Sequence, residues 1–232
     1  MLGNNRVLGI IPARGGSVGI PNKNIRQLHG KPLIAWTIES GKKSTVIDRL
    51  IVSTDSEAIA DVSRFYGCDV PFMRPAEFAA SDSPGELTVI HALEQLGGFD
   101  IVVLLQPTSP LRSSDDIDSA VRLLVETESE SCISVTESHP HPNWMKRMVH
   151  GKLRPFLTDA IAPTRQSLEP VYGMNGAVYV AKVKAFLEAR GFHTDNIAGY
   201  VMPAHRSLDI DTEYDLILCE RLIQFAESGG SF

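Results

Sequence analysis

The stretch Val7-Leu8-Gly9-Ile10-Ile11-Pro12-Ala13-Arg14-Gly15-Gly16-Ser17-Val18-Gly19-Ile20-Pro21-Asn22-Lys23-Asn24 decides the architecture. Its opening, Val7 to Ile11, is an apolar run of strand length that ends at Pro12. Glycines, a proline and polar or cationic side chains then rule out a regular element and make a loop. A helix can follow from Pro32, because proline suits a first helical position. Leu33, Ile34, Thr37 and Ile38 then share one side. Strand, glycine-rich loop and helix form the first unit of an open α/β sheet, whose ligands sit beyond the carboxyl ends of the strands.

The same rhythm continues outward. Arg49 to Thr54 is β-branched and strand-like, and Glu57 to Tyr66 reads as a helix. Its expected apolar stripe is Ala58, Ile59, Val62, Phe65 and Tyr66, with Gly67 as the stop. Val70 to Met73 is expected as a short strand, and Glu86 to Leu96 as a helix with Ile90 and Leu93 inward. The unbroken apolar run Ile101 to Leu105 fits a strand buried on both faces. Ser113 or Ser114 caps the next helix, with Asp115 and Asp116 in its positive first turn. Cys132 to Val135, Ala177 to Ala181 and Ser207 to Asp211 are further expected strands, and a helix is expected near Val183 to Arg190. Thr212 is the expected N-cap of a final helix, with Asp215 at its third position. Alternating strands and amphipathic helices predict an α/β fold: a mostly parallel sheet with helices on both faces.

Between Glu137 and Met174 the alternation fails. The stretch is proline-rich (Pro140, Pro142, Pro155, Pro163, Pro170), with a turn expected at His150-Gly151. It reads as an insertion, residues 137–174, within a single domain of residues 1–232. His139, His141 and His150 lie there among prolines and without a nearby cysteine, so they read as arm residues rather than metal ligands. Trp144 is expected to pack the arm.

Composition narrows the function. With 232 residues, 43% hydrophobic and 22% charged, the chain can bury a large core without a structural metal or disulfides. A formal net charge of −6 argues against nucleic-acid binding, which needs a basic face. No apolar run is long enough to span a bilayer, and the first residues lack the plan of a signal peptide. Cys68, Cys132 and Cys219 are scattered and odd in number, as expected of reduced thiols in a cytoplasmic protein.

The glycine-rich loop carries the first chemical signal. Glycines let backbone approach phosphates, and Arg14 and Lys23 add two cations. Neither a phosphate-binding P-loop string nor the dinucleotide Gly-x-Gly-x-x-Gly string is present. The plain alternative is a tight turn with solvated charges. The second signal is Asp209-Ile210-Asp211. On a strand the two carboxylates share a face and Ile210 points to the core. Paired hard oxygens suit Mg²⁺; the plain alternative is a pair of acids at a helix N-terminus.

Several strings together resemble the CMP-sialic acid synthetases, the acylneuraminate cytidylyltransferases. They are Ile11-Pro12-Ala13-Arg14-Gly15-Gly16-Ser17 with Gly19-Ile20-Pro21 and Lys23-Asn24; Ile51-Val52-Ser53-Thr54-Asp55; Arg74-Pro75-Ala76-Glu77 with Ala80-Ser81-Asp82; Leu104 to Arg112; Asn175-Gly176-Ala177-Val178-Tyr179; and Asp209 to Glu213. The resemblance implies a Rossmann-like three-layer nucleotidyltransferase fold with an inserted dimerisation arm, and a homodimer. It implies transfer of CMP from CTP to the anomeric hydroxyl of a nonulosonic acid, with Mg²⁺ as cofactor.

It also implies residue roles. Arg14, Lys23 and Asp211 become catalytic. Ala13, Arg14, Gly15, Gly16, Ser17, Lys23, Asn24, Arg74, Ala80, Ser81 and Asp82 become nucleotide contacts. Gln106, Arg112, Arg165, Asn175, Tyr179 and Phe192 become sugar contacts, and Asp209 and Asp211 metal ligands. Arg112 has a second reading as a brace that binds a neighbouring acid, and Phe192 a second reading as core.

Three positions depart from the family's pattern. Val18 stands where a lysine is usual, Tyr172-Gly173-Met174 replaces a segment where arginine-proline is common, and Ser83-Pro84-Gly85 replaces a hydroxyl-rich run. They leave the sugar open among sialic, legionaminic, pseudaminic and related acids. They also leave two rival functions: a nucleotide-binding homologue without turnover, and a nucleotidyltransferase for another base or sugar.

Overall fold

The computed structural model of the protein describes residues 3–17, 19–79, 84–157 and 168–231. Six strands form the central sheet: β1 (Val7–Pro12), β4 (Arg49–Ser53), β5 (Ile101–Leu105), β6 (Ser131–Glu137), β9 (Tyr172–Lys182) and β10 (Ile197–Val201). Their order is β10-β6-β9-β5-β1-β4. β1 pairs in parallel with β4 and β5, and β6 with β10, while β9 runs antiparallel to both β5 and β6. The sheet is therefore mostly parallel, as alternating strands and helices predict.

The strands are apolar on both faces because both faces are covered. Val7 and Ile11 of β1 point into one core cluster, and Leu8 and Ile10 into the other. Strand β5 divides likewise, with Ile101, Val103 and Leu105 on one side and Val102 and Leu104 on the other. The first cluster is roofed by α1 (Leu33–Lys43), α2 (Glu57–Phe65) and α4 (Ser114–Glu126). The second is roofed by α3 (Gly85–Leu96) and α5 (Val183–Ala189). A third, smaller cluster joins Ile20, Leu28 and Leu33 to Ile210 and to Leu216, Cys219 and Ile223, the last three on α6 (Glu213–Glu227). All three cysteines are buried and unpaired.

Several local expectations are met for the stated physical reasons. Ser113 caps α4 in a reciprocal box with Asp116, and Thr212 caps α6 in the same way with Asp215. His150 and Gly151, at φ 48° and 74°, turn a hairpin between β7 (Lys146–Val149) and β8 (Lys152–Pro155). This hairpin lies inside the proline-rich insertion, and every residue of its strands is exposed.

Other expectations need correction. Ser207 to Asp211 is not a strand: a one-turn helix at Ala204–Arg206 precedes it, and the backbone tie of this segment to the end of β5 is the Ile210 amide on the Thr108 carbonyl. The last strand is instead β10, whose Ala198 and Gly199 mask its strand character. Val70 to Met73 contributes only isolated bridges at Asp69 and Met73, since Pro71 has no amide for a ladder. Phe65 does not join the inward stripe of α2; it is 85% exposed, and Ile59, Ala60 and Ser63 are the buried residues. Pro32 sits just before α1, closing a two-residue pairing of β2 (Gln27–Leu28) with β3 (Lys31–Pro32).

Strand order reverses at β1: the chain moves from β1 to β4 on one side and then returns to β5 on the other. The glycine-rich loop after β1 and the Gln106–Arg112 segment after β5 thus flank one crevice, the usual ligand position of such sheets.

Candidate active site

A cavity of about 570 Å³ occupies that crevice. Its wall brings together Arg14, Ser17, Lys23, Asn24, Arg74, Gln106, Asp209 and Asp211 from segments far apart in the chain. Four backbone devices set these side chains. Asn22, at φ 53°, turns the chain into the helical turn Lys23–Ile25 and aims Lys23 inward. Lys23 Nζ donates to the Ile210 carbonyl and to Asp211 Oδ1, each at 2.9 Å, which docks the acidic segment on the loop. Asn24 is buried, and its Nδ2 donates to the Arg14 carbonyl at 2.9 Å, which holds the loop's cationic end. Gly19 passes so close to the acidic segment that a Cβ there would lie 2.5 Å from the Asp211 carbonyl oxygen. Only glycine fits that approach.

The two acids differ. Asp211 is exposed and paired with Lys23. Asp209 is largely buried, and its Oδ1 has no hydrogen-bond partner among the described residues. Burial pushes its carboxyl above the ordinary carboxylate range, Thr108 pulls it back by hydrogen bonding, and Asp211 pushes it further up. Ile210 between them is fully buried in the third cluster. The alternation expected for a strand therefore holds in this segment, with both acids on the cavity wall.

On the opposite wall the Arg74 side chain is 4% exposed. Its Nη1 donates to Thr88 Oγ1 at 2.5 Å, while Nε and Nη2 have no hydrogen-bond partner among the described residues. Burial lowers its affinity for the proton, Asp55 raises it, and Arg14 lowers it. A buried guanidinium with donors to spare is suited to an anionic or carbonyl-bearing ligand. Phe78 and Leu104 add apolar surface to the same cavity.

Gln106 enters from the other end. A Cβ on Gly176 would lie 3.7 Å from Gln106 Oε1 and 3.8 Å from Asp209 Oδ2, so this glycine, at φ 76°, sits beside both. Tyr179 lies near enough to Asp209 and Glu86 that both help burial raise its hydroxyl pKa.

Four expected sugar contacts, Arg112, Asn175, Phe192 and Tyr179, do not line this cavity. Arg112 is buried, with Nη1 donating to the carbonyls of Gln106 and Ala177 and Nη2 to Ser40 Oγ. Its alternative reading as a brace is the one the structure supports, although it binds carbonyls rather than an acid. Burial pulls its guanidinium down to about 9, opposed by Asp116, so it stays charged at neutral pH. Asn175 is turned inward, linking Ser134 and Ser207 across β6, β9 and the final connection. Phe192 is core, packed on Tyr179 and Phe186. Tyr179 stands over it, at the edge of the second cluster.

Within the glycine loop, Ala13 is buried and its amide bonds the Ser53 carbonyl, Gly15 donates its amide to Asp55, and Gly16 is exposed. Ala80, Ser81, Asp82 and Arg165 lie outside the described residues, as does Val18. Thr88, Phe78 and Thr108 line the cavity without having been singled out. Thr108 and Phe78 stand in or beside the quoted strings, whereas Thr88 gives no sequence signal beyond its place in a helix.

A profile of cytidylyltransferases matches residues 8–152. The chain belongs to the cytidylyltransferase family. It is 38% identical to the CMP-N,N'-diacetyllegionaminic acid synthase of Legionella pneumophila, covering 94% of this chain and 97% of that one. It is 36% identical to the N-acylneuraminate cytidylyltransferase of Escherichia coli, over 92% of this chain but 51% of that longer protein. The pseudaminic acid cytidylyltransferase of Campylobacter jejuni is 32% identical, with 89% and 91% covered. Among solved structures, CMP:2-keto-3-deoxy-manno-octonic acid synthetase complexed with CTP superposes with a TM-score of 0.72 at 16% identity, covering 95% of this chain and 99% of that one. 4-Diphosphocytidyl-2C-methyl-D-erythritol synthase of Anaerococcus prevotii gives 0.68 at 15% identity, with the same coverage. These two likenesses establish a shared nucleotidyltransferase fold for this cytidylyltransferase.

Proposed function

We propose that this cytidylyltransferase transfers CMP from CTP to the anomeric hydroxyl of a nonulosonic acid. The hydroxyl oxygen bonds to the α-phosphorus, the bond from that phosphorus to the bridging oxygen breaks, and pyrophosphate leaves. One observation carries the reading: the cationic loop and the acid pair Asp209/Asp211 are docked side by side in the lining of a single cavity at the sheet's switch point. The three curated relatives named above are synthases or cytidylyltransferases of such acids.

The chain's own groups divide the work. Arg14 and Lys23 offset the triphosphate charge, about four units at neutral pH, and most of the catalysis expected of them is electrostatic. In this reading Arg74 and Asn24, which line the cavity, take the nucleotide, and Gln106, near Asp209 beside Gly176, takes the sugar. Asp209 and Asp211 would hold Mg²⁺. The donor set fits, because Asp209 Oδ1 is buried without a partner and needs a cation, and Mg²⁺ takes few protein ligands and keeps water and phosphate oxygens. Among the described residues no cluster of three or more ligating side chains exists to form a closed site. When bound, the ion supplies Lewis acidity at phosphate oxygens and lowers the pKa of a bound water. Lys23, paired with Asp211 at the cavity wall, would share that acid with the ion and offer its remaining donor to phosphate.

The dimer reading draws support from the hairpin β7–β8. Its Met148, Val149 and Leu153, with the adjoining Phe156 and Leu157, are exposed together, more apolar surface than a lone arm is expected to show water. No helix among the described residues is long and apolar enough to cross a membrane, and the unpaired cysteines suit a reducing compartment such as the cytoplasm.

The decisive experiment incubates the protein with CTP, Mg²⁺ and, in turn, N-acetylneuraminic, legionaminic and pseudaminic acids, and measures pyrophosphate. Release with one of them is expected. CTP binding by calorimetry with no release for any acid would establish the rival reading of a homologue without turnover. Release with UTP in place of CTP would establish the other.

A further inference from the structure

We infer that Asp55 is a positioning residue for nucleotide binding: its carboxylate ties the glycine loop to the buried Arg74 guanidinium and so sets the shape of the triphosphate cradle. The inference rests on the CTP reading above.

Three consecutive residues after the body of β4 hold the two walls of the cavity. The Ser53 carbonyl accepts the Ala13 amide at 3.0 Å, and the Thr54 carbonyl accepts the Arg74 amide at 2.7 Å. Asp55 Oδ1 accepts the Gly15 amide at 2.9 Å and lies 3.9 Å from Arg74 Nη2. Backbone therefore fixes the roots of both walls, and Asp55 alone among the described residues links the loop's interior to the arginine's head.

Charge and space both point the same way. Arg74 is almost wholly buried and its Nη1 donates to a neutral hydroxyl. A buried cation needs a counter-charge to remain ordered. Asp55 is the acid within ion-pair reach, while Arg14, the nearest repelling group, works against it. Gly15 is pressed onto the same loop, since a Cβ there would meet Ser56 Cβ at 3.1 Å and Asp55 Oδ1 at 3.9 Å. The commonest structural use of such an acid, capping the following helix, is not what it does: Ser56 is the N-cap of α2, and the Ser56 amide donates to Thr54 Oγ1 rather than to Asp55. One consequence is specific. The Gly15 amide faces Asp55 and not the ligand, so the cradle's positive potential comes from Arg14, Lys23 and Arg74 more than from this amide.

Asp55→Asn keeps the size and the acceptor for Gly15 and removes the charge facing Arg74. By calorimetry with CTP and Mg²⁺, the variant is expected to bind CTP about tenfold more weakly than wild type, the scale of one charge-assisted contact. Its thermal midpoint without nucleotide should fall modestly, because Arg74 loses its counter-charge but the pair is 3.9 Å long and Asp55 is 28% exposed. In an Arg74→Gln background the same substitution should add less than twofold, because Asp55 acts through that side chain. Asp55→Ala, which also releases Gly15, should bind more weakly than Asp55→Asn. An unchanged CTP affinity, or effects that multiply in the double variant, would each overturn the assignment. If wild type binds CTP and Asp55→Asn binds equally well, only this inference fails. If wild type does not bind CTP, the functional reading fails with it.

Discussion

At the scale of single residues, the cavity is held by contacts that sequence spacing cannot reveal. Lys23 and Asp211 are 188 positions apart, yet their ion pair joins the loop to the acidic segment. Gly19 makes the junction possible. Gly19→Ala places a methyl group on the Asp211 carbonyl and must push the segments apart. It is expected to lower kcat/KM at least tenfold with a small loss of thermal stability, measured by pyrophosphate release and calorimetric melting. Asp209 argues a different balance. Its buried, unpartnered oxygen costs the folded protein free energy that function recovers. Asp209→Asn should therefore raise the thermal midpoint of the metal-free protein while lowering kcat by roughly 10²-fold or more, as loss of a metal ligand or a key electrostatic contact does. A variant that loses activity and melts earlier would contradict this assignment of strain to the site.

Arg112, Asn175 and Phe192 show where reading stops at this scale. Arg112 and Asn175 stand in recognisable strings and Phe192 in none, yet each is turned inward to bind carbonyls, hydroxyls or aromatic rings. A motif reports which residues cluster near a site. It does not report which way a side chain points when the strand carrying it meets a bulge, and β9 shifts register against β6 between Ile133 and Val135, opposite Asn175.

Elements were more legible, because their signals are local. Strands β1 and β5 and helix α4 follow from apolar runs and from Ser113 with its acidic first turn. Strand β10 and the Ser207–Asp211 segment were exchanged in the reading, since Ala198-Gly199 dilutes one and Ile210 with Leu208 imitates the other. The capping of α4 also carries pH dependence. Asp116 is wholly buried, which by itself would raise its pKa, but hydrogen bonds from Arg206 and Ser113 outweigh burial and hold it below the ordinary range. A depressed folded pKa means the unfolded chain binds more protons, so this stability is present above pH about 4 and lost as pH falls below it. Asp116→Asn should destabilise the protein at pH 7 and flatten the fall in stability below pH about 4, read by urea melts from neutral pH downward. A variant with the wild-type slope would move the acid sensitivity to another carboxylate.

The whole molecule poses the question its strand order leaves open. The sheet buries its strands on both faces and places the cavity at the switch point without help from the insertion. Nothing in the core requires β7–β8, whose contacts in the described structure are chiefly with each other. A two-stranded hairpin with no face covered is marginal in water. Its persistence, with Met148 and Leu153 paired across the strands and exposed, argues for a second protein surface that covers it. The commonest closed assembly of one chain type is a two-fold pair, and in the proposed dimer each arm would reach the other subunit. Leu153→Asp puts a charge on that face without touching the core or the cavity. It is expected to convert a dimer near 50 kDa, twice the 25.4 kDa chain, into a monomer by light scattering, with the thermal midpoint of the sheet domain lowered only modestly. If the arm also completes the sugar site, the sugar's KM rises in the monomer while CTP affinity holds. If wild type is already monomeric, the arm's apolar face serves some other contact and the dimer reading falls.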